Sequence, residues 1–139
     1  MRAGKFAGRF LATALCLFFL AGCGGKPAFE SGSVSGKVTH HDGKPLTNAV
    51  ITFLAPQMGV ELNANIGPDG SYKIQTPAKI GSYQVRVTPP PVIDRADGSP
   101  PQKPIENADI PRKVRNFATS QLTATIKAGK NACNFDLKD

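Results

Sequence analysis

From residue 34 onward, apolar and polar residues alternate with a period of two, and glycine, proline and aspartate repeatedly cut the alternation. Such a pattern gives a strand one dry face and one wet face. It predicts seven short strands, at 34–38, 49–53, 61–66, 71–74, 82–87, 121–127 and 131–137. The inward positions include Val34, Val38, Ala49, Ile51, Phe53, Leu62, Ala64, Ile66, Tyr72 and Tyr83. No part of this region has a helical period. Asp42-Gly43 before Pro45 reads as a turn, because Asp-Gly tolerates positive φ and proline ends pairing. Residues 67–70 read as a hairpin turn, and 128–130 as the link of a final hairpin between the last two strands. Half-wet antiparallel strands bury their apolar faces by stacking two sheets. The expected fold is all-β, a seven-stranded antiparallel Ig-like β-sandwich, with a small closed barrel as the alternative.

The first residues follow a different pattern. Arg2, Lys5 and Arg9 form a basic start with no acid, and 10–20 is an apolar run of 11 residues. A bilayer span needs about 20 such residues, so the run fits a signal peptide instead. It ends in Leu20-Ala21-Gly22-Cys23, which resembles the lipobox of bacterial lipoproteins. The resemblance implies cleavage between Gly22 and Cys23 and a lipid on the Cys23 sulfur, as palmitate or a related acyl group. Cys16 follows bulky Leu15 inside the apolar run and is a poor competing site. The expected organisation is a signal peptide at 1–22, a lipidated tether at 23–33, and one sandwich at 34–139.

Processing changes the charge and the cysteine count. Formal charge falls from +7 to +4, because Arg2, Lys5 and Arg9 leave with the signal. The remaining cations are scattered, which argues against a nucleic-acid partner. With Cys16 removed and Cys23 acylated, Cys133 has no disulfide partner and reads as a small buried hydrophobe. Gly24, rather than Asp, follows Cys23, which favours the outer membrane over the inner one.

A proline-rich insertion at 88–116 holds seven of the twelve prolines. Loops this long are functional or unstructured in compact domains. Ile110-Pro111 and Phe117 are placed to pin its far end to the sandwich. Arg112, Lys113 and Arg115 are the one local cluster of cations, and form a candidate binding surface for an envelope protein or an anionic glycan.

Catalytic chemistry is hard to find. His40 and His41 are the only histidines, and neighbours in a strand point to opposite faces, so the pair is not expected to chelate one metal. No phosphate-binding glycine loop, nucleophile elbow or zinc-protease helix is present. Lys37 and Asn134 have the order of an intramolecular isopeptide pair, but both fall on outward positions. No catalytic residue, metal or cofactor is expected, apart from the covalent lipid.

The segments Val34-Ser35-Gly36-Lys37-Val38, 42–53 (Asp-Gly-Lys-Pro-Leu-Thr-Asn-Ala-Val-Ile-Thr-Phe), Asp69-Gly70-Ser71-Tyr72 and 81–87 (Gly-Ser-Tyr-Gln-Val-Arg-Val) resemble a carboxypeptidase regulatory-like domain. Such domains are transthyretin-like sandwiches. Together with the segment from Ile110 to Leu137, the chain is similar to small lipoproteins abundant in planctomycete-like bacteria. The resemblance implies a non-catalytic, monomeric binding or structural module, anchored to the cell envelope by lipid. The alternatives are a small envelope enzyme and a carbohydrate-binding module. The latter is disfavoured, because there is no Trp and both Tyr fall inward.

Overall fold

The computed structural model describes residues 30–92 and 109–138. The signal segment, Cys23 and residues 93–108 of the proline-rich stretch lie outside the described residues. Two β-sheets carry the fold, and no α-helix occurs among the described residues. The first sheet is built around β1 (Ser31–His40), with β4 (Ser71–Lys73) and β5 (Ala78–Lys79) along one edge and β8 (Gly129–Ala132) and β9 (Phe135–Leu137) along the other. The second has the order β3-β2-β6-β7, from β2 (Val50–Ala55), β3 (Val60–Asn65), β6 (Gly81–Thr88) and β7 (Thr123–Ile126).

The all-β sandwich is as the alternation predicts, and Val34, Val38, Ile51, Phe53, Tyr72 and Tyr83 are all buried between the sheets. Leu62 and Ala64 are only half-buried, because β3 is an edge strand with a neighbour on one side alone.

Three expectations are corrected. There are nine strands among the described residues, not seven, because β5 is a separate two-residue strand and the last predicted strand divides into β8 and β9. The first sheet is mixed rather than antiparallel, since β8 and β9 both run parallel to β1. Neither predicted hairpin exists. Residues 67–70 do turn, with Gly67 N–H donating to Ser71 O at 2.8 Å, but they carry the chain from β3 in one sheet to β4 in the other. Likewise β7 pairs with β6, while β8 crosses to β1. The reason is physical: a turn motif specifies a reversal over a few residues, and the same reversal serves a hairpin or a corner between sheets. Strand boundaries also shift, and Ser31, Gly32 and Ser33 belong to β1 rather than to a tether.

These connections give the sandwich two poles. One pole holds the start of β1, the turn at 56–59, the crossing at Ile80 and the corner after β7. The opposite pole holds the turn after His40, the 67–70 crossing and both ends of the proline-rich stretch. Asn131 secures the first corner. Its side-chain amide donates to Lys127 O at 2.8 Å and Gly129 O at 3.2 Å, and its Oδ1 accepts from Lys127 N–H at 2.9 Å.

The join between β8 and β9 is also side-chain made. Asn134 Oδ1 accepts the main-chain N–H of Lys37 at 2.9 Å, in place of a ladder carbonyl. Both residues are exposed, outside the dry setting that an isopeptide bond requires. Cys133 is half-buried against the core, and burial pushes its thiol above the usual range.

Tyr72 donates its hydroxyl to Cys133 O at 2.6 Å. Burial, with a smaller contribution from the nearby Cys133, raises its phenol far above the ordinary value of about 10. The folded state therefore holds Tyr72 neutral, while an unfolded chain ionises from about pH 10 upward. Stability contributed by this group is complete below that pH and falls above it, by at most about 1.4 kcal/mol per pH unit. Tyr72→Phe is expected to flatten the alkaline decline and to cost about 1 kcal/mol at neutral pH through the lost hydrogen bond. Urea unfolding at pH 7 and above pH 10 checks both effects.

Candidate functional site

The pole opposite the start of β1 gathers most of the chain's polar candidates. β1 ends at His40, and the chain reverses through Asp42 and Gly43. Gly43 takes φ 80°, which its lack of Cβ allows without strain. His40 N–H donates to Lys44 O and Gly43 N–H to His40 O, both at 2.8 Å. Asp42 caps this turn by accepting from Lys44 N–H at 3.1 Å, and pairs with Lys44 Nζ at 2.9 Å. Those hydrogen bonds hold the Asp42 carboxyl below the usual carboxylate range and raise the Lys44 ammonium above its own. Both groups are in solvent, so the pair adds little stability.

Long-range folding supplies the other side. Asp109 and Pro111, on the return of the proline-rich stretch, face the turn across an open cleft of about 350 Å³ lined also by His40, His41 and Leu137. Sequence alternation places the two histidines on opposite faces. They line one cleft because His41 already belongs to the turn. Among the described residues, no three His, Cys, Asp or Glu side chains converge to hold a metal ion.

Beyond Pro111 the backbone forms a 3₁₀ turn, Arg112–Arg115, that divides the cationic cluster. Arg112 and Lys113 are exposed. Arg115 instead folds back, donating from Nε at 3.0 Å and Nη2 at 2.7 Å to Ile110 O. This clamp sets the spacing of Ile110 and Val114, which are both buried in the core. Downstream, Phe117 lies under the Arg86 guanidinium of β6, 4.5 Å from its ring centroid. The proline-rich stretch is thus fastened to the sandwich at Ile110, Val114 and Phe117. Ile110 and Phe117 are anchors suggested by the sequence. Val114 is missed because a single apolar residue within a basic run gives no periodic signal, and Arg86 because its stacking partner lies 31 positions away.

The divided roles predict unequal effects. Arg115→Ala is expected to cost about 1.5–3 kcal/mol, the scale of a charged hydrogen bond. Arg112→Ala and Lys113→Ala are each expected to stay within about 0.5 kcal/mol, as for exposed surface positions. Thermal and urea unfolding of the three variants makes the comparison.

Residues 33–132, from β1 to the end of β8, match the carboxypeptidase regulatory-like domain family. No curated protein matches the chain. The match covers well over half of the sequence and coincides with a two-sheet β-sandwich, so the chain belongs to the carboxypeptidase regulatory-like domain family.

Proposed function

We propose that this protein is an exported lipoprotein, held at the cell envelope by acyl chains on Cys23, and that its sandwich is a non-catalytic module that binds an envelope protein or glycan. One observation about the folded domain supports the non-catalytic reading most directly. Among the described residues, every group whose ionisation the fold shifts has a structural reason for the shift. Asp42 and Asp69 are held low by turn hydrogen bonds, Lys44 is raised by Asp42, and Tyr72, Tyr83 and Cys133 are raised by burial. Asp42 and Lys44 do border the open cleft, but their shifts carry both groups away from neutral pH, opposite to the tuning that a catalytic acid or base needs. Family membership agrees, because these domains are typically accessory modules.

The address rests on the apolar run and Leu20-Ala21-Gly22-Cys23. One acyl chain holds a protein only marginally, whereas two or more give a stable anchor. On this reading the outer membrane is the favoured location and the domain acts as a monomer. Arg112 and Lys113, beside the His40–Asp109 cleft, present the polar surface for a partner, and Arg115 serves to shape it.

The anchor is tested by feeding labelled palmitate and following the Cys23→Ala form. Label on the parent and release of the variant from envelope fractions is the expected result. An unlabelled parent with a variant that stays in the envelope fraction overturns the anchor. Binding is tested by placing a photo-crosslinking residue at 112 or 113 in intact cells. A discrete adduct absent from a position on the outer face of β3 is expected.

A further inference from the structure

We propose that the pole at which the chain enters β1 docks on anionic phospholipid headgroups. The inference rests on the lipid-anchor reading of Cys23. Seven residues, 24–30, separate that cysteine from Ser31. Even fully extended, the eight steps from Cys23 to Ser31 reach at most about 29 Å. The entry pole is therefore held near the bilayer surface, at an effective concentration on the order of millimolar. A weak patch is enough there.

The fold gathers such a patch from two separate crossings beside the start of β1. The Ala78–Lys79 strand ends beside Ser31, with Ser31 opposite Lys79. Ile80 follows and is 39% exposed, which is unusual for a large apolar residue in this domain. The corner after β7 adds Lys127 and Lys130, both exposed, held in place by the Asn131 bonds. Opposing them is Glu30, while Glu61 lies one residue inside β3 and approaches Arg86 at 3.8 Å. Cations around an exposed aliphatic side chain suit a headgroup boundary, where the charge meets phosphate and the apolar tip meets glycerol.

The opposite pole is excluded by distance. The ten residues of β1 run about 33 Å at strand rise. Upright on its tether, the domain holds Arg112 and Lys113 several Debye lengths from the surface, where the field of the membrane is screened. Docking of the entry pole thus leaves the His40–Asp109 cleft turned toward the periplasm or medium.

Every buried apolar residue among the described residues lies between Val34 and Leu137, so the chain 24–139 carries the whole described core without Cys23. That form, mixed with vesicles of phosphatidylcholine alone or with about one-third phosphatidylglycerol at accessible lipid on the order of millimolar, which matches the tethered concentration, is expected to sediment only with the anionic vesicles, and only at low salt. Each of Lys79→Gln, Lys127→Gln and Lys130→Gln is expected to lower partitioning about fivefold, and all three together about a hundredfold. The double variant Arg112→Gln with Lys113→Gln is expected to bind as the parent does. No sedimentation of the parent, an unchanged triple variant, or loss in the double variant overturns the proposal. Because this form has no Cys23, those outcomes are independent of the palmitate experiment.

Discussion

Replacing Phe53 by alanine is expected to destabilise the domain by about 4 kcal/mol, since buried Phe→Ala changes cost about 3–5 kcal/mol. Phe53 is 1% exposed in the middle of β2, with Val85 of β6 and Leu62 of β3 on either side. Its ring centroid lies 6.0 Å from Tyr72, 6.1 Å from Phe135 and 6.3 Å from Tyr83. Tyr72 and Phe135 belong to the opposite sheet, so one side chain links both layers. Truncation leaves a cavity between sheets held apart by two other rings, a site that collapses poorly. Small domains have about 5–15 kcal/mol in total, so the variant keeps a marginal fold. The check is a large drop in the urea midpoint with an unchanged slope. Phe53→Leu is expected to recover about half the loss, as larger hydrophobic replacements do. A loss under about 1 kcal/mol for the alanine variant would place the centre of the core elsewhere.

Gly36→Ala is expected to cost about 3 kcal/mol, at the upper end for overpacking. In a domain of this size that lowers the melting temperature by more than about 10 °C. Gly36 needs no unusual φ, so the demand is for space alone. It stands opposite Tyr72 across the β1–β4 pair. A Cβ at this position would run into the main-chain carbonyl of Cys133, with the Tyr72 hydroxyl 3.0 Å away. Tyr72 reaches across the glycine to bond that carbonyl on the other side of β1. A methyl group forces the 133–134 segment away, which also strains the Cys133 N–H bond to Ser35 O at 2.8 Å. The two changes should therefore be coupled. Tyr72→Phe is expected to cost about 1 kcal/mol in the parent and close to nothing in Gly36→Ala, because the bond is already broken. Additive costs in the double-mutant cycle would show that the two residues do not share one contact.

Both positions show how far local pattern reaches. Phe53 is legible as core from the alternation of Ala49, Ile51 and Phe53, because strand parity is a property of consecutive residues. Its three ring partners are not, since they come from β4, β6 and β9. Gly36 sits within the residues matched to the family, yet the reason for a glycine there is a carbonyl 97 residues later. The candidate site divides in the same way. Arg112, Lys113 and Arg115 are visible as a cluster, but only the fold separates two solvent-facing cations from one that clamps Ile110. The meeting of His40, His41 and Asp42 with Asp109 is visible only once the proline-rich stretch returns to the pole.

By itself the sequence determined the strand class, the turns, most of the inward positions and the resemblance to a regulatory-like domain, since all of these depend on residues a few positions apart. Tertiary structure alone decided which sheet each strand joins, the parallel pairing of β8 and β9 with β1, and the gathering of lysines at one pole and the cleft at the other. A turn motif encodes a reversal of direction but not the identity of the next neighbour. That choice is made by burying two apolar faces against each other, a property of the whole chain.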